Sequence, residues 1–419
     1  MAATETHRAI EAVWKIESAR LIAGLTRIVH DVSVAEELAQ DALVAALEKW
    51  PESGIPENPG AWLMGTAKHR AIDFLRRGTL IDRKHEDLGR EMAEREMQVP
   101  DLAATMDDNI GDDMLRLVFI ACHPVLSTEA RVALTLRLLG GLTTDEIARA
   151  YLSPEPTIAQ RIVRAKRTLS EARVPFEVPR GAEFNARLSS VLQVIYLIFN
   201  EGYSATAGDD WMRPALCEEA LRLGRILAEL VPVEPEVHGL VALMEIQASR
   251  SKARVNAAGE PVLLLDQDRG LWDRLLIGRG WAALERADRP GGSRGPYAIQ
   301  AAIAACHARA ATAADTDWKR ISELYGELAA IEPSPVVELN RAVAVSMASG
   351  PAAGLELVDA LRDDPALKNY HLLPSVRADL LKKLGRNDEA RIEFERAAAI
   401  TRNARERTLL LERARACAE

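Results

Sequence analysis

Four cations, Arg161, Arg164, Lys166 and Arg167, crowd seven residues of the stretch TIAQRIVRAKRTL. Helical spacing turns Arg161, Arg164 and one of the last two outward, together with Thr157 and Gln160. Side chains of these types recognise rather than transform. Arginine bridges guanine O6 and N7 in a bidentate contact worth roughly 1–3 kcal/mol of base discrimination, and lysine neutralises phosphate. The element that must hold them reads EIARAYLSPEPTIAQRIVRAKRTL: a short helix pattern, a proline-containing turn, then the basic helix. Thr143 and Glu146 have capping-box spacing, and Leu142, Ile147, Ala148, Ile158, Ile162 and Leu169 supply a small core. That is the layout of a helix-turn-helix DNA reader. The competing structural account is a solvated basic face of an ordinary bundle.

A second basic stripe lies upstream in AWLMGTAKHRAIDFLRR. Leu63, Ala67, Ala71, Phe74 and Leu75 fall on one side of a helix, and Thr66, His69, Arg70, Asp73, Arg76 and Arg77 on the other. Arginines at a helix end also complement the helix dipole, a purely structural role. The preceding helix opens at a capping box, Ser33 to Glu36. Its buried face is expected to comprise Ala35, Leu38, Ala39, Ala42, Ala46, Leu47 and Trp50. Glu37, Gln40, Asp41, Val44 and Glu48 are left for the opposite face, and PESGIPENP (51–59) reads as a loop. Residues 86–113 carry ten acids against Arg90 and Arg95 among arginines, the composition of a linker partly disordered when free.

The chain has 419 residues and a formal net charge of −9, so DNA binding requires local basic surfaces and a partner that supplies further phosphate contacts. Cys122, Cys217, Cys306 and Cys417 are too scattered for a disulfide framework or zinc site, and no metal or cofactor is expected. The N-terminus lacks an apolar signal core and the run 191–199 is too short to span a bilayer, so a cytoplasmic protein without membrane attachment is expected. No catalytic residues are legible. His238, His307 and His371 have no second histidine or carboxylate at i+4 and no nucleophile–base pairing. After Pro175 and Pro179 the pattern is helical with a hint of repetition. Ala378, Gly385, Ala390, Phe394 and Ala397 occupy the small, turn and packing positions of a tetratricopeptide-like hairpin, and Ala342, Gly354, Val358 and Leu361 take matching places upstream. RPGGSRGP, around Gly292, reads as a loop.

The order of AEELAQDALVAALEKW, a Pro-rich loop, AWLMGTAKHRAIDFLRR, an acidic linker and the helix-turn-helix resembles the bacterial sigma-70 family, extracytoplasmic-function group, over roughly residues 10–175. The remainder resembles its subgroup with a tetratricopeptide-like C-terminal extension. The resemblance implies an all-α chain: residues 1–78 as sigma region 2, 79–113 as acidic linker, 114–175 as region 4, and 181–419 as the helical extension. It implies no enzymatic activity, but binding to core RNA polymerase through the β′ clamp helices, by Glu37, Gln40, Asp41 and Val44, and through the β flap. Trp62, Lys68, His69, Arg70, Asp73, Arg76 and Arg77 would meet the minus-ten promoter element and assist DNA opening. Thr157, Gln160, Arg161, Arg164, Lys166 and Arg167 would read the minus-thirty-five element. The extension would regulate, with small DGPF/YCII-type proteins as further partners. Two departures bear on promoter preference: Tyr151-Leu152-Ser153-Pro154 replaces the usual glycine-containing turn, and Ala159 stands where a basic residue is common. The alternative reading is a one-component helix-turn-helix regulator with a sensory or protein-binding repeat domain.

Overall fold

The structure, a computed structural model, describes residues 2–86, 110–151, 153–288 and 294–418. It is all-α apart from one short strand pair among those residues, and it divides into two compact units, residues 1–194 and 195–419. No described helix is long and apolar enough to cross a membrane.

In the first unit, α1 (Ala2–Val29), α2 (Val32–Ser53) and α3 (Pro59–Glu86) pack on one another. Leu21, Leu25, Leu38, Trp50 and Leu63 are almost wholly buried, each contributing about 1.5–3 kcal/mol for its aliphatic or aromatic surface. The capping box expected at Ser33 to Glu36 is a correction. The helix begins two residues earlier, at Val32 with Asp31 as its cap, whose carboxylate accepts from the amides of Ser33 and Val34 at 2.7 and 3.1 Å. Glu36, freed from capping, is 5% exposed and turned inward. Of the expected apolar face of α3, Leu63, Ala67 and Ala71 are buried, whereas Phe74 and Leu75 are 42% and 40% exposed.

Four further helices follow: α4 (Ile110–Ala121), α5 (Thr128–Leu138), α6 (Thr144–Ala150) and α7 (Glu155–Glu171). The bulk of the acidic linker lies outside the described residues. Its last four residues, expected as linker, begin α4 instead. Asp112 and Asp113 stand in the first turn, where carboxylates complement the helix dipole. The Thr143 capping box forms as expected: the Thr143 amide donates to Glu146 at 2.8 Å, and the Glu146 amide to the Thr143 hydroxyl at 3.1 Å. Pro154 precedes α7 and Pro156 sits in its first turn, where the missing N–H groups cost nothing. Ile147, Ala148, Ile158, Ile162 and Leu169 are buried, and Leu142 is half-buried.

Helix α8 (Ala182–Tyr203) starts where the extension was expected, yet its first half groups with the first unit. Ser190 donates to the Cys122 carbonyl at 2.7 Å, and Arg187 to the Phe119 carbonyl at 3.1 Å while stacking over the Phe119 ring.

The second unit comprises α9 (Pro214–Leu230), α10 (Pro235–Ala248), α11 (Arg274–Ala287), α12 (Pro296–Arg309), α13 (Trp318–Ile331), α14 (Pro335–Ser349), α15 (Pro351–Ala360), α16 (Leu372–Lys383), α17 (Asn387–Ile400) and α18 (Ala404–Arg415). Short turns join α14 to α15 and α16 to α17, making helical hairpins. Ala342, Ala378, Ala390, Phe394 and Ala397 are fully buried in them, and Gly385 makes its turn at φ +74°. Gly354 lets α15 press on α14, since a Cβ there would meet the Ala342 carbonyl oxygen at 2.8 Å. The residues around Gly292 fall largely outside those described. Strand β1 (Ala207–Gly208) pairs in parallel with β2 (Arg402–Asn403), Ala207 opposite Arg402 and Gly208 opposite Asn403. The Asn403 amide group donates to the carbonyls of Ala205 and Asp210 at 3.1 and 2.8 Å.

Candidate nucleic-acid interface

Helix α7 leans on the start of α5 and leaves a groove of about 370 Å³ lined by Thr157, Gln160, Arg161 and Arg164 on one side and Ser127 and Ala130 on the other. Thr157, Gln160 and Arg164 are exposed and Arg161 half-buried, so four of the expected readers share one face. Ser127 caps α5 by accepting from the Ala130 amide at 3.3 Å, which brings the positive end of that helix to the groove rim. Glu129 titrates below the usual range, chiefly through its backbone hydrogen bond and Ser127, with Arg161 and Arg131 assisting. The groove therefore combines arginine donors with a helix N-terminus, the pairing that suits a phosphate beside a base edge.

The two remaining residues of the expected set diverge. Arg167 is exposed and holds Glu171 at 2.6 Å. Lys166 is turned away from the groove to pair with Glu36 of α2, its side chain 16% exposed. Sequence spacing left the choice between Lys166 and Arg167 open, and the inward carboxylate decides it. Glu36 also accepts from Arg137 Nε at 2.7 Å and from Gln40 at 3.0 Å. A second ionic contact joins Arg27 of α1 to Asp113 of α4 at 3.1 Å, and Arg116 also binds Asp113, at 2.6 Å. Burial nevertheless pushes the Asp113 carboxyl above its ordinary value, outweighing both arginines. The packing of α1 and α2 against α4, α5 and α7 thus uses one cation, Lys166, drawn from the basic helix itself. Nothing in the linear order of Glu36, Arg137 and Lys166 announces this triad.

On α3, His69 and Arg76 are exposed, as is Asp73, while Lys68 and Arg70 are half-buried. Arg70 is tied to Asp41 of α2 at 2.8 Å. This joins one residue of the expected polymerase face to one of the expected minus-ten face. Trp62 is half-buried, its ring edge-on to Trp50 at 5.3 Å between centroids. The Arg77 side chain lies outside the described residues. On α2, Glu37, Asp41 and Val44 are exposed in a row, Val44 at 50%, whereas Gln40 is half-buried against Glu36. An exposed valine flanked by acids is a small amphipathic docking face.

Three histidines of the second unit have local partners. His238 Nε2 lies 2.9 Å from the Pro232 carbonyl, His371 meets Glu406 at 2.9 Å, and His307 packs edge-on to Trp318. Among the described residues no group of His, Cys, Asp or Glu could hold a metal ion, and all four cysteines are free.

Comparison with known proteins places two families on the first unit. Residues 17–80 match Sigma-70 region 2, and residues 116–169 match Sigma-70 region 4. Residues 187–288 match a family of unknown function, DUF6596. An uncharacterized protein of Rhizobium meliloti is 44% identical over 91% of this chain and 89% of its own length. The probable ECF RNA polymerase sigma factor SigI of Mycobacterium tuberculosis is 26% identical over 41% of this chain and 58% of its own. The RNA polymerase sigma-H factor of Pseudomonas aeruginosa is 27% identical over 37% of this chain and 81% of its own. No solved structure matches the chain.

Proposed function

The chain is a member of the sigma-70 family, extracytoplasmic-function group, and from that membership we propose that it carries core RNA polymerase to promoters and supports DNA opening there. The observation that carries the proposal is the groove of α7, with Thr157, Gln160, Arg161 and Arg164 presented together in one unit with the basic face of α3. Arg161 and Arg164 read base edges of the minus-thirty-five element, and the neighbouring α5 terminus takes a phosphate. Trp62, Lys68, His69, Arg70, Asp73, Arg76 and Arg77 act at the minus-ten element. An aromatic ring and flanking cations are what capture of an unstacked single strand requires. Glu37, Gln40, Asp41 and Val44 dock on the β′ clamp helices, and region 4 docks on the β flap.

Elements centred about 25 base pairs apart lie roughly 85 Å from one another on B-form DNA. Helices that share the Glu36 carboxylate cannot span that distance, so the first unit opens when it engages polymerase and promoter. The packed arrangement is thus the resting one, and Lys166 joins the DNA-reading set only after release. The second unit regulates this step. Small DGPF/YCII-type proteins stay an expectation of the resemblance, checked by co-purification.

Reconstitution with bacterial core polymerase, followed by co-elution and run-off transcription from genomic fragments, tests the reading. Co-elution with promoter-specific transcripts is expected. Failure to bind core, combined with direct binding to duplex DNA, would replace it with a one-component regulator. The net charge of −9 disfavours that outcome.

A further inference from the structure

Three arginines of the second unit converge, and among the described residues none of them forms an ion pair; Asp315 reaches Arg269 only through its field. Arg250 follows the end of α10 and is 8% exposed. Its guanidinium carbon lies 5.6 Å from the centre of the Tyr203 ring and 5.7 Å from that of Trp272. Arg254 stacks on the same Tyr203 ring at 3.6 Å, with Trp211 at 5.7 Å, and Arg269 lies 5.0 Å from the Trp272 ring. Two rings therefore bridge three cations.

The donors of these arginines are spent unequally. Arg254 donates to the Tyr203 carbonyl at 2.9 Å and contacts the Met212 sulfur, while Arg269 donates to the carbonyls of His307 and Ala310 and to the Thr316 hydroxyl. Arg250 makes no side-chain hydrogen bond and no ion pair among the described residues; its neighbours there are rings and other arginines. Its Nε is buried without a partner, as are Arg269 Nε, Trp272 Nε1 and the Tyr203 hydroxyl. Buried donors are almost always satisfied, so several orphans in one neighbourhood imply a missing acceptor. Stacking occupies the faces of a guanidinium and leaves its N–H edge free for an in-plane oxygen pair. Among the described residues no carboxylate lies against this edge. Arginine cannot shed its charge to relieve the burial. The field is felt nearby, for burial and then Arg250 and Arg269 push His307 down to about 3, leaving its ring neutral.

We propose that the second unit binds a small molecule through a phosphate or carboxylate group at the edge of Arg250, with Arg254 and Arg269 supplying the surrounding positive field. Arg250 at 8% and Trp272 at 3% exposure lie too deep for a polyanion laid across the surface, whereas Tyr203 and Arg254 are half-exposed and give a small solute its way in. The arginines and both rings lie within the segment that matches the family of unknown function. The proposal is independent of the promoter-binding reading, because no residue of the first unit takes part.

The test is titration of the full chain with inorganic phosphate and, separately, malonate, each against sodium chloride of equal ionic strength. Tryptophan emission and the thermal midpoint are the readouts. A saturable response to either oxyanion that chloride does not give is expected; phosphate alone assigns a phosphorylated ligand and malonate alone a carboxylate. Arg250→Met should weaken that response at least tenfold, while Arg320→Met, on the exposed face of α13, should leave it unchanged. Should Arg250→Met fail to fold by circular dichroism, Arg254→Gln takes its place under the same tenfold criterion. Absence of a saturable response to both oxyanions, or parental binding by a folded Arg250 or Arg254 variant, overturns the proposal.

Discussion

Changing Glu36 to Gln should loosen the first unit and tighten its grip on polymerase. The Glu36 side chain is 6% exposed and is shared by Arg137, 22% exposed, and Lys166, 16% exposed. Glutamine keeps the shape and one acceptor but leaves two cations facing each other with no counter-charge. Removing one partner of a buried ion pair costs about 3–5 kcal/mol. With about a fifth of each cation still wet, about 2–3 kcal/mol is the better figure, a roughly 30- to 150-fold fall in the packed-to-open ratio at 1.36 kcal/mol per decade. Apparent affinity for a partner that takes only the open form rises by up to that factor. The assay has two arms: equilibrium titration against core polymerase, and amide hydrogen exchange along α2 and α7. Faster exchange in both helices together with tighter core binding is expected. Glu37→Gln, one residue away but exposed, should leave exchange within the first unit as it is. Parental exchange and parental core affinity in the Glu36 variant would refute the resting-state argument.

Arg161→Ala and Arg164→Ala should each relax sequence preference at particular upstream positions by about 1–3 kcal/mol; uniform weakening with a shallower salt slope would reassign them to phosphate. Trp62→Phe should lower open-complex formation on double-stranded promoters, by up to about 1–3 kcal/mol per stacked base, while sparing a pre-melted template. Asn403→Ala leaves two carbonyls without their donor and should cost the second unit about 2 kcal/mol, a Tm fall of roughly 4–8 °C by calorimetry. His307 is held neutral in the fold with its value lowered to about 3, against about 6.5 when unfolded. Its contribution is present above pH 6.5 and lost as pH falls from there toward 3, at about 1.4 kcal/mol per unit at most. Urea midpoints of the parent should decline over that window more steeply than those of His307→Gln.

Local patterns were legible in the residues and cross-element pairings were not. The Thr143 cap and the buried faces of α2 and α7 follow from spacing alone, the half-buried Leu47 excepted, because a helix period and a reciprocal hydrogen bond are properties of neighbouring residues. The Ser33 to Glu36 cap shares that spelling but fails, since Asp31 takes the Ser33 amide and Arg137 and Lys166 take the Glu36 carboxylate. The pairing of Lys166 with Glu36 is illegible for the same reason: its partner lies 130 positions away in the chain, beyond the reach of any periodicity. The docking of Arg187 on α4 and of Ser190 on the residue that follows it is likewise absent from the linear pattern, in which Pro175 and Pro179 are the boundary signals. Phe74 and Leu75 sit where α3 runs past its neighbours, so their apolar character found nothing to cover it. The arginine cluster around Arg250 has no linear signature, because it joins the end of α8 to the segments that follow α10.

The small parallel ladder between residues 207–208 and 402–403 alters what kind of object the second unit is. An open stack of hairpins contacts only its nearest neighbours, unravels from either end and tolerates gain or loss of a unit. Here the stretch after α8 is clasped by the stretch before α18, so neither end can fray without breaking a bond to the other. A deletion that trims α18 would release the segment around Ala207, almost two hundred residues upstream, and a duplicated hairpin would pull the clasp out of register. The unit should therefore melt as one cooperative body and evolve by substitution rather than by changing its number of hairpins.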